Sequence, residues 1–217
     1  DEGAPVSARD DRPFDPDAHS PVDAHLREEF VESQQVYRGR FLDVRRDEVR
    51  LPDGSAAHRE YIVHPGAVMI VPILDDGRLI VERQYRYPVA RVMLEFPAGK
   101  LEFGEPPLEC AMRELAEETG YRATEWARAG ILHNAIAYST EGIEIWFARG
   151  LSLGERALDV GEFVDVDTTT LESLEDAAQK GSLTDVKTLV GLLWLRHWRE
   201  GRWSVSWTTP EPLPAGP

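Results

Sequence analysis

Apolar and polar residues alternate along several short stretches of the chain, and this pattern predicts a protein rich in β-strands. Residues 36–49 and 59–63 flank the turn-forming pair Asp53 and Gly54, so the first strands are expected to form a small antiparallel meander. Residues 67–74 are almost continuously apolar, which is typical of a strand buried on both faces. Further strands are expected over residues 78–85, 92–96, 128–134, 143–148 and 163–166.

Three other segments carry apolar residues at helical spacing. In the first, Leu108, Met112 and Leu115 stand at positions i, i+4 and i+7, which places them on one face of a helix. Two more helices are expected over residues 170–179 and 185–200. Because strands and helices are interspersed along the chain, the sequence predicts an α/β fold in which helices cover both sides of a mixed sheet.

The chain divides into four parts by composition. Residues 1–34 are acidic, contain prolines and lack a hydrophobic period, so we expect an arm that is extended or partly disordered. Residues 35–65 form the meander, residues 66–205 the main domain, and residues 206–217 a proline-rich tail. With 217 residues, of which 42% are hydrophobic, the chain can bury one sizeable core.

Charge and cysteine content narrow the possible partners and compartment. The net charge of −15 argues against a protein that coats nucleic acid, because such proteins usually display a basic face. The single cysteine, Cys110, excludes a disulfide within the chain and fits a reducing compartment. No run of 18 apolar residues is present and the N-terminus is acidic, so neither a membrane span nor a signal peptide is expected. We therefore expect a cytoplasmic protein without nucleic-acid or membrane partners.

The predicted helix that carries Leu108 and Leu115 also carries three closely spaced glutamates. Glu114 and Glu118 are four residues apart and so share one helical face, with Glu117 beside them. Like charges so close repel one another, and a cation would remove that cost. Carboxylate oxygens suit Mg²⁺ or Mn²⁺, which commonly also bind the phosphates of a substrate. The alternative is an acidic helix face that is simply solvated.

These glutamates belong to a longer motif with fixed spacing. The order Gly-x5-Glu-x7-Arg-Glu-U-x-Glu-Glu-x-Gly-U, with U apolar, runs from Gly99 to Tyr121 and matches at all nine defined positions. In addition to the three glutamates of the helix, the fixed residues of the motif are Gly99, Glu105, Arg113 and Gly120. Gly99 is expected to permit a tight turn before the helix, and Gly120 to end the helix in the left-handed conformation.

The motif resembles the Nudix box, and the chain resembles the ADP-ribose and nucleotide-sugar pyrophosphatase branch of the Nudix hydrolases. The resemblance implies a Nudix α/β/α sandwich with a mixed sheet, preceded by a small N-terminal antiparallel β meander. Members of this branch are commonly homodimers in which the meander swaps over the partner, so residues 35–65 are expected to form a dimer contact. Beyond the box, the resemblance covers the runs at residues 37–41, 83–86, 95–99, 161–164 and 185–188.

The resemblance also implies an activity and a metal requirement. The enzyme would hydrolyse the pyrophosphate bond of ADP-ribose, or of a related nucleoside diphosphate sugar, to AMP and ribose 5-phosphate. Two or three Mg²⁺ or Mn²⁺ ions would bridge the pyrophosphate and lower the pKa of the attacking water. Arg113 would hold the acidic cluster in shape through Glu105 or Glu117. The implied metal ligands are the Ala98 carbonyl, Glu114 and Glu118, with Glu117 contributing or standing behind them.

Substrate contacts are implied for three residues outside the box. Arg59 and Arg86 match positions that meet the phosphates, the base or the terminal sugar, and a guanidinium fork suits phosphate. Tyr37 is a candidate for stacking on the adenine. Each of the three is alternatively an ordinary structural or surface residue.

The residue that positions the attacking water is expected on a loop that can close over bound substrate. Glu162, which follows the loop from Gly154 to Gly161, is the first candidate. Glu141, which precedes the strand at residues 143–148, is the second, and Glu117 of the box is a further catalytic candidate.

Other substrates and one other class of function stay open. Ile136 stands sixteen residues past Gly120, where ADP-ribose pyrophosphatases often carry proline, so other nucleotide sugars remain possible substrates. Dinucleoside polyphosphates or an RNA cap are alternatives that the acidic composition disfavours. A catalytically silent nucleotide-sugar sensor is the alternative outside enzymology, and the intact glutamates of the box argue against it.

Overall fold

The computed structural model describes residues 21–158 and 160–213, so residues 1–20 of the predicted arm (1–34) and the last residues of the tail lie outside it. The described residues fall into two units. The N-terminal unit contains the residues up to His64 together with Ala135–Thr140, and the main unit contains Pro65–Asn134 and the residues from Glu141 onward.

The N-terminal unit is an antiparallel sheet with strand order β1-β2-β3, which confirms the predicted meander. Between β2 and β3, Gly54 has a φ of +85° and the Asp53 carboxylate accepts a hydrogen bond from the Ser55 amide at 2.9 Å, so the turn is the one predicted from the sequence. The segment Ala135–Thr140 joins this unit because the Ile62 amide donates to the Tyr138 carbonyl at 2.8 Å. The three strands are β1 (Glu29–Arg38), β2 (Asp43–Arg50) and β3 (Ala56–Val63).

The first strand differs from its prediction in two ways. It begins at Glu29, within the part assigned to the arm, and the predicted stretch 36–49 is divided by a turn in which the Gly39 amide donates to the Leu42 carbonyl at 2.8 Å. Every residue of β1 is exposed, so its sequence carries no clean alternation of apolar and polar positions. Backbone pairing with β2, rather than a buried face, defines this strand.

The main unit contains two sheets. One has the order β7-β4-β9-β8, in which β4 and β9 run parallel and the other pairs are antiparallel, so the sheet is mixed as predicted. The other has the order β10-β5-β6 and is antiparallel throughout. The strands are β4 (Ala67–Pro72), β5 (Leu79–Arg86), β6 (Arg91–Glu95), β7 (Ala98–Lys100), β8 (Tyr121–His133), β9 (Gly142–Leu153) and β10 (Val164–Thr169).

Three helices cover these sheets, α1 (Pro107–Thr119), α2 (Leu171–Gln179) and α3 (Val186–Arg199), as the periodicity predicts. Thr170 and Asp185 cap α2 and α3 by accepting hydrogen bonds from amides three residues on, at 3.1 and 3.0 Å. Gly120 ends α1 with a φ of +77°, which confirms its predicted left-handed conformation.

Strand β4 separates two apolar cores. Val68 and Ile70 are fully buried in a cluster with residues of α1, and Met69 and Val71 are fully buried in a second cluster with residues of α2 and α3. Because successive side chains of a strand point to opposite faces, a strand covered on both sides must be apolar throughout. This arrangement is the α/β/α sandwich expected from the sequence.

Two further features complete the main unit. Strand β8 is longer than predicted, and a register shift between Arg128 and Gly130 allows it to continue alongside β9. The start of the predicted tail is packed, because Thr208 exchanges backbone hydrogen bonds with Trp126 at 2.8 and 2.9 Å. Of the helices described between residues 21 and 213, none has the length and apolar character to cross a membrane.

Candidate active site

The glutamates of α1 differ in how deeply they lie. The side chain of Glu118 is almost fully buried and accepts a hydrogen bond from the Ala98 amide at 3.0 Å. The side chain of Glu114 is 13% exposed, whereas that of Glu117 is 37% exposed. Glu114 and Glu118 therefore face strand β7, and Glu117 stands closer to the surface.

Gly99 has a different role from the one expected. It lies within β7, opposite Val68, and its backbone is not in the left-handed region. A β-carbon at this position would come within 1.8 Å of Cδ of Glu114. The expected tight turn at Gly99 is therefore wrong: the glycine is required because the Glu114 carboxylate lies directly against the strand.

Arg113 connects the acidic residues of the motif. Its guanidinium donates to both carboxylate oxygens of Glu105 at 2.8 and 2.9 Å, to Glu114 at 2.8 Å and to Glu117 at 3.0 Å. These hydrogen bonds raise the pKa of Arg113, and they lower the pKa of Glu105. Of the two partners that the sequence offered for Arg113, Glu105 and Glu117, the structure uses both and adds Glu114.

Burial makes the charged forms of the inner carboxylates unfavourable. Burial raises the pKa of Glu114 to about 7, although the nearby Arg113 opposes this shift. The pKa of Glu118 is raised as well, first by burial and then by the charges of Glu82, Glu114 and Glu162. A site that raises the pKa of two neighbouring carboxylates is short of positive charge.

Glu82 is an acidic residue near these carboxylates that the sequence analysis missed. It lies in β5 with only 3% of its surface exposed, and it stands directly opposite Glu95 of β6. Burial raises the pKa of Glu82, and the charges of Glu162 and Glu95 raise it further. The available signal was a single glutamate at the end of the buried apolar run Leu79–Ile80–Val81, where a charge needs a specific reason.

Glu162, the first candidate for positioning water, lies close to this cluster. It follows Gly161, whose φ is +91°, and accepts a hydrogen bond from Gln84 at 3.3 Å. Its charge acts on Glu82, Glu114 and Glu118 alike. Glu141, the second candidate, is half-buried immediately before β9.

Arg86, predicted to bind substrate, forms a bidentate ion pair with Glu95 in which both hydrogen bonds measure 2.8 Å. Lys187 at the start of α3 also donates to Glu95 and lies 3.1 Å from Asp185. Burial disfavours the Glu95 carboxylate, but the hydrogen bonds from Arg86 and Lys187 outweigh it and lower the pKa of Glu95. Glu95 is therefore a fully compensated buried charge, unlike Glu82.

The remaining predicted substrate residues, Arg59 and Tyr37, belong to the N-terminal unit. Arg59 makes an ion pair with Glu28, with one hydrogen bond of 2.9 Å. Tyr37 lies on β1 with 56% of its surface exposed, and its ring stands over Gly39. The structure thus distributes the predicted substrate residues over both units, with Arg86 in the main unit.

The carboxylates of the glutamates and the Ala98 carbonyl suit a hard divalent cation, because all of them offer oxygen ligands. In the part of the chain described here, no three acidic, histidine or cysteine side chains already form a ligand set. Arg113 occupies oxygens of Glu114 and Glu117, whereas one oxygen of Glu82 is buried without a hydrogen-bond partner. The carboxylates of Glu114 and Glu118 and the Ala98 carbonyl are the groups that could hold a cation.

Comparisons with known proteins agree with this geometry. The profile of the NUDIX domain matches residues 63–189, and that of the nucleoside diphosphate sugar hydrolase N-terminal domain matches residues 28–62. An ADP-ribose pyrophosphatase of Bacillus subtilis is 36% identical over 173 residues, which cover 79% of this chain and 94% of that protein. A methanol dehydrogenase activator of Bacillus methanolicus is 35% identical over the same shares of each chain.

A solved structure is also similar. The crystal structure of an ADP compounds hydrolase superimposes with a TM-score of 0.73 at 27% identity, covering 81% of this chain and 95% of that one. The acidic helix held by Arg113, the strand that meets it at Gly99, and the match to the domain over residues 63–189 lead to one conclusion. The chain belongs to the Nudix family and is a Nudix hydrolase.

Proposed function

We propose that this enzyme hydrolyses the pyrophosphate bond of ADP-ribose, or of a closely related nucleoside diphosphate sugar, to a nucleoside monophosphate and a sugar phosphate. The observation that carries the proposal is the pair of carboxylates formed by the half-buried Glu114 and the buried Glu118, which pack against the backbone of Ala98 and Gly99. With ADP-ribose the products are AMP and ribose 5-phosphate. The names of relatives, ADP-ribose pyrophosphatase and ADP compounds hydrolase, support this substrate class.

The proposal includes Mg²⁺, with Mn²⁺ as a substitute and two or three ions per site. The ligands are Glu114, Glu118 and the Ala98 carbonyl, and Glu117 is an outer ligand because its side chain is more exposed. When bound, the cations would neutralise charge on the pyrophosphate and lower the pKa of the attacking water. Arg113 serves to fix the orientation of the glutamates, since it holds three carboxylates in one fork.

Glu162 is proposed as the group that positions the attacking water and accepts its proton. Unlike Glu114 and Glu117, it is not paired with Arg113, and its hydrogen bond to Gln84 is long, at 3.3 Å. The glycine before it gives the loop conformational freedom. Glu141 is proposed to act on substrate binding instead.

Arg86, Arg59 and Tyr37 are proposed to hold the substrate. The pair with Glu95 uses Nε and Nη2 of Arg86 and leaves its third nitrogen, Nη1, outside the pair. Because the side chain of Arg86 is 42% exposed, Nη1 can donate to a phosphate oxygen while Glu95 keeps the plane of the guanidinium fixed. Arg59 is proposed to contact the phosphates, the base or the terminal sugar, and Tyr37 is proposed to stack on the adenine.

A homodimer is proposed from the exposure of β1. The strand is uncovered along its whole length, and it displays Phe30, Val31, Val36 and Tyr37 to solvent. A three-stranded sheet with apolar residues uncovered gains stability by packing against another surface, and a second copy is the simplest source of one. We also propose a cytoplasmic location without nucleic-acid partners, on the basis of the single cysteine and the net charge of −15.

The substrate is tested by comparing hydrolysis of ADP-ribose, GDP-mannose, a UDP-sugar and a dinucleoside polyphosphate by the full chain in Mg²⁺. ADP-ribose is expected to give the highest kcat/KM, with AMP and ribose 5-phosphate as the only products. A tenfold preference for any of the other substrates would replace the proposed one. Binding of ADP-ribose without turnover would favour a silent sensor, and Glu118→Gln serves as the control for contaminating hydrolases.

A further inference from the structure

The Glu82 carboxylate is a buried acidic group that lacks an ion pair in the described part of the chain. Only 3% of the residue is exposed, and its Oε1 is buried without a hydrogen-bond partner. A buried ionised carboxylate without a partner is strongly disfavoured, so such a residue is retained only where it has a specific function. The motif of α1 does not include this residue, because Glu82 belongs to a different element.

The position of Glu82 on β5 directs it toward the active site. Glu82, Gln84 and Arg86 alternate along the strand and therefore share one face. Gln84 donates to Glu162, and Arg86 donates to Glu95. Glu82 thus lies in a row of polar side chains whose other members each contact a residue of the site.

The neighbours of Glu82 supply negative charge rather than a partner. Glu95 stands opposite it in the ladder, but both oxygens of Glu95 are taken by Arg86 and one of them also by Lys187. The Arg156 guanidinium attracts Glu82, but it donates its hydrogen bond to the carbonyl of Val164. Glu118 adds further negative charge, since the charge of Glu82 raises the pKa of Glu118.

We propose that Glu82 is a further ligand for the divalent cation of the Nudix box. Its unpartnered oxygen would bind the cation beside the carboxylate of Glu118. This inference rests on the metal dependence contained in the proposed function. It adds an acidic residue from β5 to a set otherwise drawn from α1 and β7. A cation held from two sides is fixed relative to both the helix and the second sheet, and its position no longer depends on α1 alone.

The test is a titration of the full chain with Mn²⁺ in the absence of nucleotide, in which free Mn²⁺ is measured by electron paramagnetic resonance. Glu82→Gln keeps the shape of the side chain and removes its charge, and it is expected to weaken Mn²⁺ binding by about 10- to 100-fold. The same variant is expected to unfold at an unchanged or higher temperature in EDTA, since it removes an uncompensated buried charge. Glu82→Met, which is apolar and of similar size, should weaken Mn²⁺ binding to the same extent.

The matched control is Glu109→Gln, an exposed glutamate of α1 whose loss should alter neither Mn²⁺ binding nor unfolding. Mn²⁺ affinity within twofold of the parent in both folded Glu82 variants would overturn the inference and leave the proposed function intact. Lower unfolding temperature with unchanged affinity would likewise overturn it, because Glu82 would then be purely structural. A parent protein that binds no Mn²⁺ would overturn the proposed metal dependence as well.

Discussion

The Glu114 carboxylate occupies the space that a side chain at Gly99 would need: Cδ of the glutamate lies 1.8 Å from the point where a β-carbon of residue 99 would stand. The glycine is therefore a requirement of the carboxylate on the helix rather than of the chain path before it. Gly99 and Glu114, two fixed residues of the motif, therefore function as one unit.

Gly99→Ala is expected to displace the Glu114 carboxylate from β7. The displaced side chain must move by more than a rotamer adjustment, so we expect a loss of about 1–3 kcal/mol in the free energy of unfolding. We also expect kcat to fall by about 10- to 100-fold, because the carboxylate is no longer held in its position. Chemical denaturation and steady-state kinetics measure the two effects. Lys100→Ala, which changes the next and exposed residue of β7, should leave both near the parent values.

Arg113→Lys keeps the positive charge but cannot reach three carboxylates. We expect the free energy of unfolding to fall by about 1–3 kcal/mol, since carboxylates that accept from the half-buried guanidinium are left unsatisfied. Arg128→Lys is the matched control. Arg128 also forms a bidentate ion pair, with hydrogen bonds of 2.9 and 3.2 Å to Glu144, but its side chain is 49% exposed. An exposed pair of this kind is worth roughly 0–1 kcal/mol. Equal losses in the two variants would contradict the special role of Arg113.

Glu118→Gln retains the volume of the side chain and removes a charged ligand. Turnover in Mg²⁺ is expected to drop by about 100-fold or more, given the usual cost of losing a ligand or a preorganised charge. The protein should remain folded, because the change also removes the burden of burying that charge. Unimpaired Mg²⁺-dependent turnover in a folded variant would refute the assignment of Glu118 as a ligand.

Glu162→Gln and Glu141→Gln separate the two candidates for positioning water. The first is expected to lower kcat by about 10² to 10⁴ with little change in KM, the span usual for loss of a general base. The second is expected to act mainly on KM. The reverse pattern would transfer the role to Glu141, and unchanged kcat in both variants would exclude both residues from it.

The pair between Glu105 and Arg113 predicts a contribution to stability that depends on pH. The hydrogen bond from Arg113 lowers the pKa of Glu105 in the folded protein relative to its unfolded value of about 4.3. The stabilisation is therefore fully present above that unfolded value, and it is lost as the pH falls through the lower, folded value. Thermal unfolding temperatures of the parent and of Glu105→Gln should differ at pH 6 and converge as the pH falls below the unfolded value of about 4.3. A difference that grows with falling pH would contradict the pairing.

Much of this site could be predicted because its determinants are local in sequence. Glu114 and Glu118 are separated by one helical turn, and Gly120 follows two residues after Glu118, so spacing alone places them. Glu82 and Glu95 are far less visible, because their proximity depends on the pairing of β5 with β6. The pair of Arg86 with Glu95 follows from the same pairing.

Other parts of the fold show the same division. The buried strand β4 and the helices α2 and α3 are evident from their apolar patterns, whereas β1 lacks a buried face and its start at Glu29 could not be located. The motif marks Gly99 as a fixed residue, but the sequence does not reveal which side chain leaves no room for a β-carbon there. The position of Arg59 and Tyr37, which are proposed to bind substrate, in a separate unit likewise depends on contacts between distant segments.

The two-sided burial of β4 also has a consequence for genetics. Met69 and Val71 belong to the apolar core beneath β4, yet the strand that carries them pairs with β7, whose first residue is Ala98. A smaller side chain at either position leaves a cavity beneath the strand that supports the active site. Random mutagenesis screened for loss of hydrolysis should therefore recover conservative apolar replacements in β4 alongside changes in the motif itself. Such alleles should be temperature-sensitive, whereas alleles of Glu118 should be inactive at every temperature.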